Sequence, residues 1–259
     1  MKHLAFLFSF LVILFMMAVI IINNQEKPPM RLLSVHKYYS YLYEEDSQME
    51  IALYTNDIEH PIAYFPSYAS IELCNQAETK KLLMPLEKLS YGFEENYLNE
   101  TYYQIILYLK LPDLDQDFLI EDLWINIFLV NDDHYTFSLG AFSLMAEKSN
   151  TSALEWNALD GKKNAQSYLS RLGTIEIEYQ SLNKTVETIL IGIEYAIDYV
   201  IEADKIVLTI PLENMLLDNV PIIIRFTDGT KQTISNFRYM IDYQILKESG
   251  MLIETYALN

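Results

Sequence analysis

The chain has 259 residues, 51% of them apolar, with 36 Asp and Glu against 18 Lys and Arg for a formal charge of −18. Twenty Tyr and 12 Phe give it enough core-forming side chains to exclude disorder, and its acidity excludes nucleic-acid binding, which needs cations against phosphate. A single cysteine, Cys74, excludes a disulfide framework and any multi-cysteine zinc or iron–sulfur site.

Residues 4–22 carry Ser9 as their only polar side chain. At about 1.5 Å per residue this segment would span about 28 Å as a helix, close to the thickness of a bilayer's hydrocarbon core. A cleaved signal peptide needs small residues at its cleavage point, whereas Ala18 is followed by Val19, Ile20, Ile21 and Ile22. A retained signal anchor is therefore expected over residues 1–23. A short leading tail holding Lys2 stays cytoplasmic, which places residues 24–259 outside the cytoplasm on a single-pass protein of the cell membrane. Residues 24–31, with Pro28 and Pro29, form a polar spacer. Lys2 is the only cationic side chain of the first 23 residues, so the acidity belongs to the ectodomain. Like-charge repulsion should hold that ectodomain off an anionic membrane surface at low salt.

Beyond Arg31 the pattern has period two. Apolar residues alternate through Tyr103, Ile105, Leu107, Leu109 and Leu111; through Leu123, Ile125, Ile127 and Leu129; and through Tyr135, Phe137, Leu139 and Ala141. The same holds for Ile189, Ile191, Ile193, Tyr195 and Ile197, and for Ile206, Leu208 and Ile210. Such alternation marks strands with one face on a core. Asn131, Asp132, Asp133 and His134 form a turn between two runs, and Asp228-Gly229 suits a type I′ hairpin. Helix is expected only between the halves. Ser152 and Glu155 fit a capping box with Gly161 as the stop, and Ala165, Tyr168, Leu169 and Leu172 keep helical spacing up to Gly173.

The two halves resemble each other. Ile71-Glu72-Leu73 matches Ile175-Glu176-Ile177, the run 105–109 matches 206–210, the run 122–128 matches 219–225, and Thr136-Phe137-Ser138 matches Thr233-Ile234-Ser235. The expected architecture is all-β. Two tandem immunoglobulin-like β-sandwich domains, 32–147 and 165–259, follow an N-terminal transmembrane helix and are joined by a linker, 148–164, containing a short helix.

Chemistry is harder to find. His3, His36, His60 and His134 have no metal-ligand spacing, Cys74 has no histidine partner, and serine-nucleophile and Gly-rich phosphate motifs are missing. Asp113, Asp115 and Asp117 place carboxylates at alternate positions of a loop, a pattern that suits Ca²⁺. The loop is not an EF-hand, because Phe118 and Trp124 stand where Gly and Glu are required, and a solvated acidic turn is the simpler expectation. No other cofactor is expected. Tyr38, Tyr39, Tyr41 and Tyr43, or Tyr102 and Tyr103, are candidates for a carbohydrate- or protein-binding platform, set against ordinary strand positions. Asn99, Asn150 and Asn183 lie in N-x-[ST] triplets.

The reading that follows is a non-enzymatic, membrane-anchored extracytoplasmic protein. It would act by contact with a protein partner at the cell surface, as an accessory or scaffold subunit of a cell-envelope complex. A glycan- or cation-binding surface module is the alternative, and a carboxylate-based hydrolase the second alternative.

Overall fold

A computed structural model describes residues 15–17, 29–146, 150–163, 172–211, 216–217, 219–238 and 245–258. Within the expected anchor only residues 15–17 are described, and they are helical and exposed. No helix among the described residues is long and apolar enough to cross a membrane. The expected helix over 165–172 also lies outside them up to Leu172, which opens a strand.

The protein is nearly all β, as the alternation requires. Its first half holds β1 (Arg31–Val35), β2 (Lys37–Leu42), β3 (Gln48–Thr55), β4 (Tyr68–Asn75), β5 (Lys81–Leu83), β6 (Leu86–Tyr97), β7 (Glu100–Lys110), β8 (Phe118–Leu129) and β9 (His134–Met145). The second half holds β10 (Leu154–Lys163), β11 (Leu172–Leu182), β12 (Val186–Ile191), β13 (Tyr195–Ile201), β14 (Lys205–Thr209), β15 (Leu216–Leu217), β16 (Asn219–Phe226) and β17 (Lys231–Arg238). A short helix, α1 (Ile245–Ser249), precedes the last strand, β18 (Ile253–Ala257).

Two sheets, ordered β18-β1-β3-β7-β6 and β15-β2-β9-β8-β4-β5, pack face to face. Their shared core contains Leu32, Ile51, Leu53, Ile105, Leu107, Ile125, Ile127, Phe137 and Phe142. The third sheet, β10-β11-β14-β13-β12-β16-β17, folds over on itself around Ile175, Ile177, Ile189, Ile206, Leu208, Ile222 and Ile224. Strand β13 makes the corner. Its first residues pair with β12 and its later ones with β14, as strands do when they switch layers.

The strand orders of the halves correspond. The order β1-β3-β7-β6 matches β10-β11-β14-β13, and β9-β8-β4-β5 matches β17-β16-β12-β13, with β13 standing for both β5 and β6. Three of the four sequence matches fall on equivalent strands: β7 with β14, β8 with β16, and β9 with β17. The match of Ile71–Leu73 to Ile175–Ile177 does not, because the counterpart of β4 is β12. Short alternating runs of Ile and Leu look alike whichever strand they belong to.

Several expectations are corrected. The capping-box helix over 152–161 is strand β10, the edge of the seven-stranded sheet, paired along its length with β11. A helix of so few residues nucleates poorly in isolation, whereas the ladder to β11 satisfies the backbone directly. The linker span thus contributes a strand. β1 begins at Arg31, inside the expected spacer. The stretch assigned to the second domain does not end there, since β18 returns to pair antiparallel with β1 in the first sandwich. The run from Ile189 to Ile197 is not one strand but a hairpin, with Ile189 opposite Ile197 and Ile191 opposite Tyr195. Asp228-Gly229 does join β16 to β17, but in a three-residue loop, with Phe226 N–H donating to the Thr230 carbonyl.

The halves meet on the outer face of β2 and β9, which run parallel. Odd residues of β2, Tyr39 and Tyr41, enter the first core, while Tyr38 enters the second. Leu42 and Met145 pack against Leu190, Ile193 and Ile223. The Tyr38 hydroxyl shares a hydrogen bond with Ser143 Oγ (2.8 Å), which shares another with Ser40 Oγ (2.6 Å), and it accepts from Ile193 N–H (3.2 Å). Gly192 lies against this ring, with the position of a Cβ only 2.0 Å from the Tyr38 hydroxyl.

Candidate aromatic binding surface

The loop from β3 to β4, residues 56–67, is fastened along its length. Asp57 Oδ1 accepts the Glu59 N–H (2.8 Å), and His60 Nδ1 accepts the Ile62 N–H (3.2 Å). Pro61 and Pro66 sit in the first turns of two successive 3-10 helices, Pro61–Ala63 and Phe65–Ser67, where their fixed φ suits the turn. Tyr64 N–H donates to Pro61 O and Ser67 N–H to Tyr64 O. Ile62 and Ala63 are fully buried, and the Tyr68 hydroxyl donates to the Ile62 carbonyl.

This scaffold turns two rings outward: Tyr64 is 61% exposed and Phe65 42%. Strand β6, the sheet edge beside the loop, adds two more. The Tyr91 hydroxyl donates to the Ala63 carbonyl at 2.6 Å while its ring stays 59% exposed, and Phe93 is 63% exposed. Glu59 and Glu94, both exposed, and the half-buried Asp57 are neighbours in sequence and supply carboxylate acceptors. Four rings in water forgo burial free energy that each would gain in a core, about 1.5–3 kcal/mol for a large side chain. The loop that carries Tyr64 and Phe65 is fastened by its own hydrogen bonds before any ligand arrives, so little conformational entropy remains to be lost there on binding.

His60 anchors the loop chemically. Accepting at Nδ1 requires a lone pair there, so Nε2 carries the hydrogen and faces the Tyr135 hydroxyl at 3.2 Å. Burial holds this imidazole below its ordinary value, against the opposing charges of Asp57 and Asp133.

The tyrosines singled out in the sequence lie elsewhere. Tyr38 and Tyr39 are fully buried, Tyr41 and Tyr102 nearly so, and Tyr43 packs against the first core. Tyr38, Tyr39 and Tyr41 form no platform because β2 is sandwiched between two cores, and Tyr102, on β7, packs in a cluster with Leu33 and Tyr54. Tyr103 is half-buried. Asp113, Asp115 and Asp117 lie in the exposed loop between β7 and β8, where Asp117 Oδ1 accepts the Ala146 N–H (2.9 Å). Among the described residues no group of three or more His, Cys, Asp or Glu side chains is arranged to hold a metal ion. Cys74 is buried, its thiol pushed up chiefly by burial, and its Sγ accepts from Asn126 Nδ2. His36 pairs with Glu254 (2.9 Å), and His134 stacks on Phe128. The signal that locates the aromatic loop is the proline bracket of Pro61 and Pro66 around Tyr64-Phe65, which no periodicity reveals.

A small apolar concavity opens at the seam between the halves. Its lining of Tyr38, Ile191, Tyr195, Ile197, Ile210, Pro211 and Leu217 offers few polar groups to orient a ligand.

No protein-family model and no curated protein matches the sequence. Among solved structures, the chain is similar to the Bacteroides ovatus mixed-linkage glucan utilization locus protein SGBP-B in complex with a mixed-linkage heptasaccharide. That match has 12% identity and a TM-score of 0.23, and covers 78% of this chain. The chain spans 43% of the length of that protein.

Proposed function

We propose that the protein is a non-enzymatic glycan-binding module of the cell surface, carried outside the cytoplasm by the anchor at residues 4–22. It consists of two tandem immunoglobulin-like sandwiches that arose by duplication, a reading supported by the matching strand orders. The observation that carries the function is the preorganised exposed pair Tyr64 and Phe65, with the exposed Tyr91 bonded to the same loop. Ring faces suit the C–H surface of a sugar, while the tyrosine hydroxyls and neighbouring carboxylates meet its hydroxyl groups. A neutral glycan is also indifferent to the charge of −18, which would repel an acidic partner.

The test is affinity electrophoresis of the protein through gels containing neutral polysaccharides of different linkage. At least one should retard it, and Tyr64→Ala combined with Phe65→Ala should abolish the retardation while leaving the circular dichroism unchanged. Equal retardation of the double variant, or none by any polysaccharide, would sink the proposal. Recovery of a stoichiometric protein lost in the same double variant would instead favour the scaffold reading, since exposed aromatics also anchor protein interfaces.

A further inference from the structure

Three turn tips at one end of the first sandwich carry large aliphatic side chains in water. Ile58, in the loop after β3, is 50% exposed; Leu98, between β6 and β7, is 76% exposed; Val130, after β8, is 65% exposed. Turn tips ordinarily carry small or polar residues. Leu98 is also held at φ +49 beside Asn99 at φ +66, a left-handed conformation that disfavours a bulky side chain. The fold keeps an apolar residue there against both solvation and backbone preference.

The same end receives the chain from the expected anchor. Asn56 Nδ2 donates to the Pro29 carbonyl (3.1 Å), Arg31 N–H donates to Asn56 Oδ1 (2.8 Å), and Arg31 pairs with Glu100, two residues past Leu98 (3.1 Å). Val130 N–H donates to Ser67 O at the far end of the loop that contains Ile58. Residues 23–28 are all that separate Ile22 from Pro29, and even fully extended they reach only about 20 Å. The three aliphatic tips therefore cannot stand far from the lipid headgroups.

We infer that Ile58, Leu98 and Val130 form a foot that inserts into the interfacial region of the bilayer holding the anchor, seating the first sandwich on its own membrane. This rests on the anchor assigned above. The occupant is the lipid surface because the chain's own tether delivers these residues to it. Apolar side chains at turn tips gain by leaving water for the headgroup–acyl boundary. Asp57, Glu59, Asp132 and Asp133 flank the foot, and Arg31 at this end is already paired to Glu100. The contact is thus apolar rather than electrostatic, and zwitterionic lipid suits it better than anionic lipid. The aromatic loop, folded back along β6, stays at the side of the seated sandwich.

The test uses the full chain reconstituted in phosphatidylcholine vesicles, with Leu98→Cys, Ile58→Cys or Val130→Cys labelled by an environment-sensitive fluorophore; Cys74 is buried. Asp115→Cys, in the loop at the opposite end of β7, is the reference. Lipid-borne quenchers should dim the three foot labels several-fold more than the reference, and phosphatidylglycerol should reduce the difference. Equal quenching at Leu98→Cys and Asp115→Cys overturns the foot. If a foot variant fails to fold, the unlabelled chain serves: amide exchange at 57–59 and 97–99 should slow on reconstitution, and unchanged exchange overturns the proposal as well. Flotation with the vesicles is read first. A chain that does not float refutes the anchor, whereas one that floats without selective quenching refutes the foot alone.

Discussion

Glu95 and His60 are both buried, and their ionisation bears on stability with opposite signs. Glu95 accepts the Leu246 N–H at 2.8 Å at the start of α1. Burial raises it above its ordinary 4.5, against the lowering pull of the Leu246 and Ile245 N–H groups. Folding therefore favours its protonated form; that contribution is complete below pH 4.5 and lost as pH rises through the raised value. His60 is lowered from 6.5, so folding favours its neutral form, a contribution present above pH 6.5 and lost as pH falls through the lowered value. Urea midpoints across the acid range should show Glu95→Gln relatively more stable at the upper end and His60→Asn relatively more stable at the lower end. Parallel curves for both variants and the parent would contradict this. Tyr38 joins the two halves through its hydroxyl, and Tyr38→Phe should cost about 1–2 kcal/mol by removing its buried bonds, with an unchanged denaturant slope. At this scale the sequence was only partly legible. Tyr38, Tyr39 and Tyr41 have the same composition as a binding platform, and only the second core behind β2 shows that they are buried.

Among the elements, β7 and β14 were readable because the runs from Ile105 to Leu109 and from Ile206 to Leu208 put every second residue on a core, and β8 was readable from Leu123 onward, past its bulge. β9 was readable only to Leu139. Phe137 and Leu139 face the first core, then Phe142 and Leu144 do so while Ala141 turns to the second. The change of phase falls at Gly140, whose φ is +113 and whose added Cβ would lie 2.4 Å from the Lys37 carbonyl oxygen. Gly140→Ala should therefore break the parallel pairing of β2 with β9, costing roughly 3 kcal/mol or more. Amide exchange along 37–42 should accelerate selectively; uniform acceleration would point to a merely global effect. β10 was misread because most of its side chains are exposed on both faces, which leaves no period-two pattern to see. The aromatic loop was invisible for a related reason, since its order comes from two prolines and one histidine cap.

The whole molecule is tied together by more than a linker. Met145, Leu190 and Ile223 form a buried cluster between the halves, and β15 pairs with β2 across the same boundary. Thermal unfolding of the two halves should appear in calorimetry as a single transition. Leu190→Asp with Ile223→Asp should separate it into two; two transitions already present in the parent would show the seam to be energetically minor. The charge of −18 and the nearly all-β character were visible in the sequence, but the return of the C-terminus to pair with β1 was not, because strand pairing over such separation leaves no local trace. That return has a mechanical consequence. β1 lies between β18, with five residue pairs, and β3, with three. Ladder bonds run across the strands, so tension entering at Arg31 along β1 must shear both ladders together rather than peel one open. The last strand of the chain thus works as a clamp on the first, at the N-terminal end of the first sandwich.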